Sequence, residues 1–119
     1  MSGFARFYGV VLECQDPRAL AEFYSALTGW ELEYADDEWV TLRDGDNVRL
    51  SFQKAPGHIA PNWPDAASPM QVHLDFYVDD LTKSVDHAIA LGATRFDHQP
   101  GESFTVLADP AGHPFCLCV

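Results

Sequence analysis

The sequence predicts an α+β fold made of two βαβββ modules within one domain, and three observations predict it. The stretch Gly9-Val-Val-Leu-Glu-Cys-Gln-Asp16 alternates as a strand does and runs at once into Pro17–Gly29, which has helical spacing. The same plan returns at His73-Leu-Asp-Phe-Tyr-Val-Asp-Asp80, followed by Leu81–Gly92. Asp16 and Asp80 stand 64 residues apart, and Gly29 and Gly92 stand 63 apart. A long internal repeat in a chain of 119 residues reads as two copies of one small unit, neither able to bury its sheet face alone. The expected bounds within residues 1–119 are 1–55 for the first module, 55–70 for a linker and 70–119 for the second.

Taken in order, residues 1–5 read as a frayed end and Arg6 to Cys14 as the first strand. Val10, Leu12 and Cys14 share one face, Gly9, Val11 and Glu13 the other. Asp16 is a helix N-cap, and Pro17 suits the first helical position because its missing N–H costs nothing there. Leu20, Phe23, Tyr24 and Leu27 form one apolar stripe, and Gly29 closes the helix. Trp30 to Tyr34 returns as a strand, Trp39 to Leu42 is another, and Arg43 to Asn47 is a tight turn marked by Asp44-Gly45. Val48 to Gln53 alternates again. Lys54 to Met70 carries four prolines and little periodicity, as a linker does. In the second module His73, Asp75 and Tyr77 share a face, with Leu74, Phe76 and Val78 opposite. Asp80 caps a helix with the stripe Leu81, Val85, Ala88, Ile89 and Leu91. Ala93 to Phe96, Ser103 to Ala108 and Pro114 to Val119 complete the strands.

Seven basic residues against eighteen acidic ones give a formal net charge of -11. Phosphate backbones and anionic membrane surfaces need basic partners, so neither nucleic acid nor a membrane is an expected partner. The field favours a cationic small molecule. Cys14, Cys116 and Cys118 are an odd number without zinc-module spacing, which suits reduced thiols. With no leader and no run of about 18 apolar residues, the expected location is the cytoplasm.

Alternation puts Trp39, Thr41, Tyr77, Phe104 and Val106 on the sheet faces that the helices do not cover. Glu13, Gln53, Arg49 and Asp75 are the sparse polar groups of those faces. Aromatic walls with a few polar groups are the composition of a small-molecule site. His73 beside Asp75 is the candidate catalytic residue, since a carboxylate can set an imidazole's tautomer and basicity. Side chains two apart on a strand are about 6.5 Å apart, so direct contact between them is left open. His73 and Cys116, with Glu13 or Asp75, are also chemically adequate for a metal.

Glu22-Phe-Tyr24, Leu27-Thr-Gly-Trp30, Val78-Asp-Asp-Leu81, Ala90-Leu-Gly-Ala93 and Asp109-Pro-Ala-Gly-His-Pro-Phe115 together make the chain resemble the glyoxalase, bleomycin-resistance and dioxygenase group, the vicinal oxygen chelate superfamily. The resemblance implies curved mixed sheets that enclose a cleft, and a homodimer. It also implies, for the metal-dependent members, a ligand on the first and last strand of each module. Those positions fall on Gly9, near Arg49, on His73 and on Cys116. Only His73 keeps the pattern, so no tightly bound cofactor is expected, and His73 with Cys116 is the alternative metal set. The expected function is that of a glyoxalase-like protein binding a small organic molecule in the cleft. The alternatives are a metal-dependent lyase or dioxygenase with an altered ligand set, or a dimeric structural protein without a ligand.

Overall fold

A computed structural model describes residues 3–45 and 48–119. Strand β1 (Gly9–Cys14) leads into helix α1 (Pro17–Thr28), followed by β2 (Glu31–Ala35), β3 (Trp39–Asp44) and β4 (Val48–Lys54). The plan repeats as β5 (Leu74–Tyr77), α2 (Leu81–Leu91), β6 (Thr94–Arg95), β7 (Phe104–Ala108) and β8 (Pro114–Cys118). Each set makes one four-stranded sheet, in the order β1-β4-β3-β2 and β5-β8-β7-β6. In both, the first strand pairs parallel with the last and the remaining pairs are antiparallel. These are the two expected βαβββ modules with mixed sheets. The chain divides inside the proline-rich linker into two compact units, one ending at His58 and one starting at Ile59.

Local chemistry sets the helix bounds as expected. The Asp16 carboxylate accepts from the Ala19 amide at 3.2 Å, and Asp80 accepts from Lys83 at 3.0 Å. Gly29 ends α1 at φ 78, a left-handed conformation that side-chain-bearing residues resist, and its N–H returns to the Ser25 carbonyl. Gly92 ends α2 at φ 120, with its N–H on the Ala88 and Ile89 carbonyls.

In the first unit, Leu20, Phe23 and Tyr24 of α1 pack over the sheet face made by Leu12, Val40, Leu42, Leu50 and Phe52, all buried. Tyr24 is 0% exposed, stacks on Phe52 at 5.7 Å and meets Phe23 edge-on at 5.0 Å. In the second unit α2 supplies only Val85 and Ala88 as buried residues. The sheet fills the space instead: Phe76 meets Phe115 edge-on at 6.2 Å, above a buried Leu117. Trp63 of the linker packs edge-on against Phe96 at 5.2 Å.

Several expectations change in detail. β1 begins at Gly9 rather than Arg6, and Phe7 and Tyr8 before it are exposed. Ile89 is not part of the α2 core stripe but 44% exposed, because a small helix packing on large strand residues needs only a narrow contact line. β3 and β4 run one or two residues longer than expected, and β6 is reduced to two residues. Of the turn between β3 and β4, Gly45 has φ 56, while Asp46 and Asn47 lie outside the described residues, as do Met1 and Ser2. Among the described residues no helix is long and apolar enough to cross a membrane.

Candidate functional site

Cross-strand register shows which side chains share the face of each sheet opposite its helix. In the first unit Gly9, Val11 and Glu13 of β1 lie beside Arg49, Ser51 and Gln53 of β4, which lie beside Arg43, Thr41 and Trp39 of β3. The expected grouping of Trp39, Thr41, Glu13, Arg49 and Gln53 is therefore present. Trp39 is held in place: its indole N–H donates to Thr41 Oγ1 at 2.8 Å, and Thr41 and Ser51 hydroxyls are 2.8 Å apart. Both hydroxyls are buried, so this chain of bonds fixes the ring with little freedom to swing. Glu13 and Gln53 are exposed beside it.

Arg49 has partners of its own. Its guanidinium donates to both Glu33 oxygens, at 2.8 and 3.0 Å, and lies 4.7 Å from the centre of the Tyr8 ring. Arg43 adds a longer contact to the same carboxylate at 3.4 Å. The Arg49 hydrogen bond is the main reason the Glu33 carboxyl titrates below its ordinary value.

In the second unit Asp75 and Tyr77 of β5 lie beside Cys116 and Cys118 of β8, which lie beside Val106 and Phe104 of β7. His73 stands one residue before β5 rather than on it. The parallel register would place it next to Pro114, which has no N–H to give a ladder. Its ring still reaches back: Nε2 lies 3.1 Å from Asp75 Oδ1. The contact that alternation left open is thus made. Tyr77 is 90% exposed, so its ring is an apolar surface left in the open next to this pair. Phe104 borders a cavity of about 340 Å³ lined also by Leu81, Val85, Asp86, Arg95 and Gln99.

Cys116 is buried and stands directly across the strand pair from Asp75, with its Sγ within 4.8 Å of an Asp75 carboxylate oxygen. Burial first, then the Asp75 charge, pushes its thiol from the ordinary 9.0 up to about 12. Cys118 is raised by the same two causes. A reactive thiol needs the opposite environment. A group whose folded value is raised stabilises the fold below its unfolded value and loses that contribution as pH rises through the folded one. Stability therefore falls between about pH 9 and 12 in the native chain, and less steeply in Cys116→Ser. Urea denaturation across that range measures the difference. Iodoacetamide at pH 8 labels Cys116 much more slowly than it labels the unfolded chain.

The positions where a metal-dependent relative would carry ligands can be tested one by one. Gly9 offers no donor, and a Cβ there would overlap the Arg49 carbonyl oxygen, so no ligating side chain fits without moving the strand. Register shows that the first-unit counterpart of Cys116 is Ser51, two residues beyond Arg49: Val11 pairs with Ser51 as Asp75 pairs with Cys116. Ser51 is engaged with Thr41. The four-ligand pattern does not form in this chain. Among the described residues the metal-competent cluster is His73, Asp75 and Cys116, whose donor atoms all lie within 4.8 Å of one another.

Gln99 is a structural residue that sequence reasoning missed. Its side-chain amide donates to the Phe96 and Val106 carbonyls at 2.7 and 2.9 Å and accepts from the Val106 N–H at 2.8 Å. A carboxamide carries one peptide's worth of donor and acceptor, so Gln99 stands in for the strand that β6 is too short to supply. Nothing in strand periodicity signals this.

The sequence profile of the glyoxalase-like domain family matches residues 9–118. No curated protein matches the chain. Among solved structures, the chain is similar to a glyoxalase/bleomycin resistance protein/dioxygenase family enzyme from Burkholderia phytofirmans, at 21% identity and a TM-score of 0.75 over 95% of this chain and 97% of that one. It is similar to the bleomycin-binding protein of Streptomyces verticillus, solved with copper(II)-bleomycin, at 20% identity and a TM-score of 0.61 over 100% and 98% of the two chains. It is also similar to a lactoylglutathione lyase from Agrobacterium tumefaciens, at 19% identity and a TM-score of 0.63 over 96% and 92%. At these identities the likeness carries the fold and not the activity.

Proposed function

Because this chain belongs to the glyoxalase-like domain family of the glyoxalase, bleomycin-resistance and dioxygenase superfamily, we propose that it binds a small organic molecule on the aromatic and polar sheet faces just described. One observation carries the reading: the Tyr77 ring is 90% exposed beside the His73–Asp75 pair. In the first unit Trp39, pinned by Thr41, adds a half-buried ring beside the polar Glu13 and Gln53. The rings supply desolvated contact area and the polar groups fix orientation. Glu13 and Asp75 are carboxylates on these faces and the chain carries a net charge of -11, so the favoured ligand carries a positive group. That a fold neighbour is solved with copper(II)-bleomycin supports a binding function on this scaffold.

A thermal-shift screen of metabolites and cationic antibiotics in the presence of chelator tests the reading. A ligand at 100 times its Kd adds about 2.7 kcal/mol to stability. The stabilisation survives chelator and is lost in Trp39→Ala or Tyr77→Ala. A hit indifferent to both rings places the ligand elsewhere and overturns the assignment.

A second reading, a metal-dependent lyase or dioxygenase with an altered ligand set, is favoured by the His73, Asp75 and Cys116 cluster. In that case the ion would polarise a substrate oxygen, and ligand stabilisation would require both added metal and His73.

A further inference from the structure

We propose that the second unit binds, on its own, an exchangeable zinc-class divalent ion through His73 Nε2, an Asp75 carboxylate oxygen and Cys116 Sγ, with a further coordination position left open to solvent or to a bound molecule. The inference goes beyond the ligand reading above, which needs no metal.

Asp75 is the centre of the arrangement. Its Oδ1 lies 3.1 Å from His73 Nε2, and Asp75 stands directly beside Cys116 of the neighbouring strand. Nitrogen, oxygen and sulfur donors thus already converge on one place, where a dication can bridge them. The donor atoms lie within 4.8 Å of one another, against about 3.3 to 3.8 Å between donors around a tetrahedral zinc with Zn–N near 2.0 Å and Zn–S near 2.3 Å. The His73–Asp75 separation of 3.1 Å is already close to such a shell, and small side-chain rotations would bring the three donors into it. On binding, the Cys116 thiol gives its proton to solvent as the metal–sulfur bond forms, and the His73 ring stays neutral by losing its proton at Nε2 and taking one up at Nδ1 through solvent, which frees the Nε2 lone pair for the ion. Thiolate and carboxylate together cancel the charge of the ion.

The donor set also fixes the selectivity. A thiolate with an imidazole suits zinc and cobalt, whereas magnesium and manganese prefer all-oxygen shells. The four-ligand pattern of metal-dependent relatives would draw on both modules, but here Gly9 and Ser51 contribute nothing. Three protein ligands with an open position is the arrangement of reactive rather than purely structural zinc sites. The side chains of His73 and Asp75 are 38% and 63% exposed, so the ion exchanges readily with solvent.

The test uses the full chain, reduced, stripped with chelator and titrated with cobalt(II). The expected result is one cobalt per chain with a thiolate-to-cobalt charge-transfer band in the near ultraviolet. Zinc displaces it and a large excess of magnesium does not. Cys116→Ser abolishes the band, while Cys118→Ser keeps it. His73→Ala and Asp75→Asn each weaken zinc, read by competition with a chromophoric chelator, at least about tenfold, the lower end of what losing even a supporting contact costs. Asp75 is exposed, so Asp75→Asn leaves folding intact and keeps the test sound should Cys116→Ser unfold, which far-UV circular dichroism reports. No band at millimolar cobalt, a band that survives Cys116→Ser, or zinc affinity unchanged in Asp75→Asn overturns the site. Ligand stabilisation that persists in chelator leaves the binding function standing whichever way the metal result falls.

Discussion

Tyr24→Ala lowers the unfolding free energy by about 3 to 5 kcal/mol, the range for deleting a large, fully buried ring. Tyr24 is 0% exposed, stacks on Phe52 of β4 and meets Phe23 of its own helix edge-on. Its removal leaves a cavity under α1 that Leu20 and Leu42 cannot fill without shifting the helix. The repeat supplies an internal contrast. At the 64-residue offset that aligns the two N-caps, the counterpart of Tyr24 is Ala88. The second unit needs no ring on its helix, because Phe76 and Phe115 occupy the volume from the sheet side. Ala88→Leu, an overpacking change, therefore also destabilises, by about 1 to 3 kcal/mol. Urea denaturation measures both. A Tyr24→Ala loss under 1 kcal/mol would mean that α1 is not anchored as described.

Gln99→Ala costs about 1 to 3 kcal/mol, because it strands the N–H of Val106, a residue only 1% exposed, without its partner. The loss also frees the edge of β7 at its middle residue Val106, which stands next to Cys116. Amide exchange at Val106 should accelerate more than at Leu107 or Leu117 further into the sheet. Gln99→Glu is as costly at neutral pH, since a carboxylate has no donor for the Phe96 and Val106 carbonyls. It recovers partly in acid, when the protonated carboxyl regains an O–H. If Gln99→Ala matched the native stability, the side chain would be an ornament of the turn and not a strand substitute.

Both helices, both caps and the pairing faces of the strands were legible in the sequence, and for a physical reason. Caps and alternation are local: Asp16, Asp80, Gly29 and Gly92 act on backbone groups within one turn of themselves. The grouping of Trp39 with Thr41, and of Tyr77 with Asp75 and Phe104, followed from the same period of two. What period alone left open was contact. It could not say that His73 touches Asp75, that Trp39 is tied to Thr41, or that Arg49 is paired with Glu33, since each depends on rotamers and on a neighbouring strand.

The sequence by itself determined the two-module plan, the family, the acidic field and the loss of ligating residues at Gly9, because these rest on residue type, spacing and repeat. The tertiary structure alone decided the rest. Register fixed the counterpart of Cys116, expected only near Arg49, as Ser51, and set Asp75 directly beside Cys116 across a parallel strand pair. It also exchanged large and small residues between helix and sheet in the two units, and put Gln99 in place of a missing strand. These are facts about residues 28 or more positions apart, or about a side chain doing the work of a backbone. No local periodicity encodes them: a period fixes which face a residue occupies, and only strand pairing fixes what stands next to it.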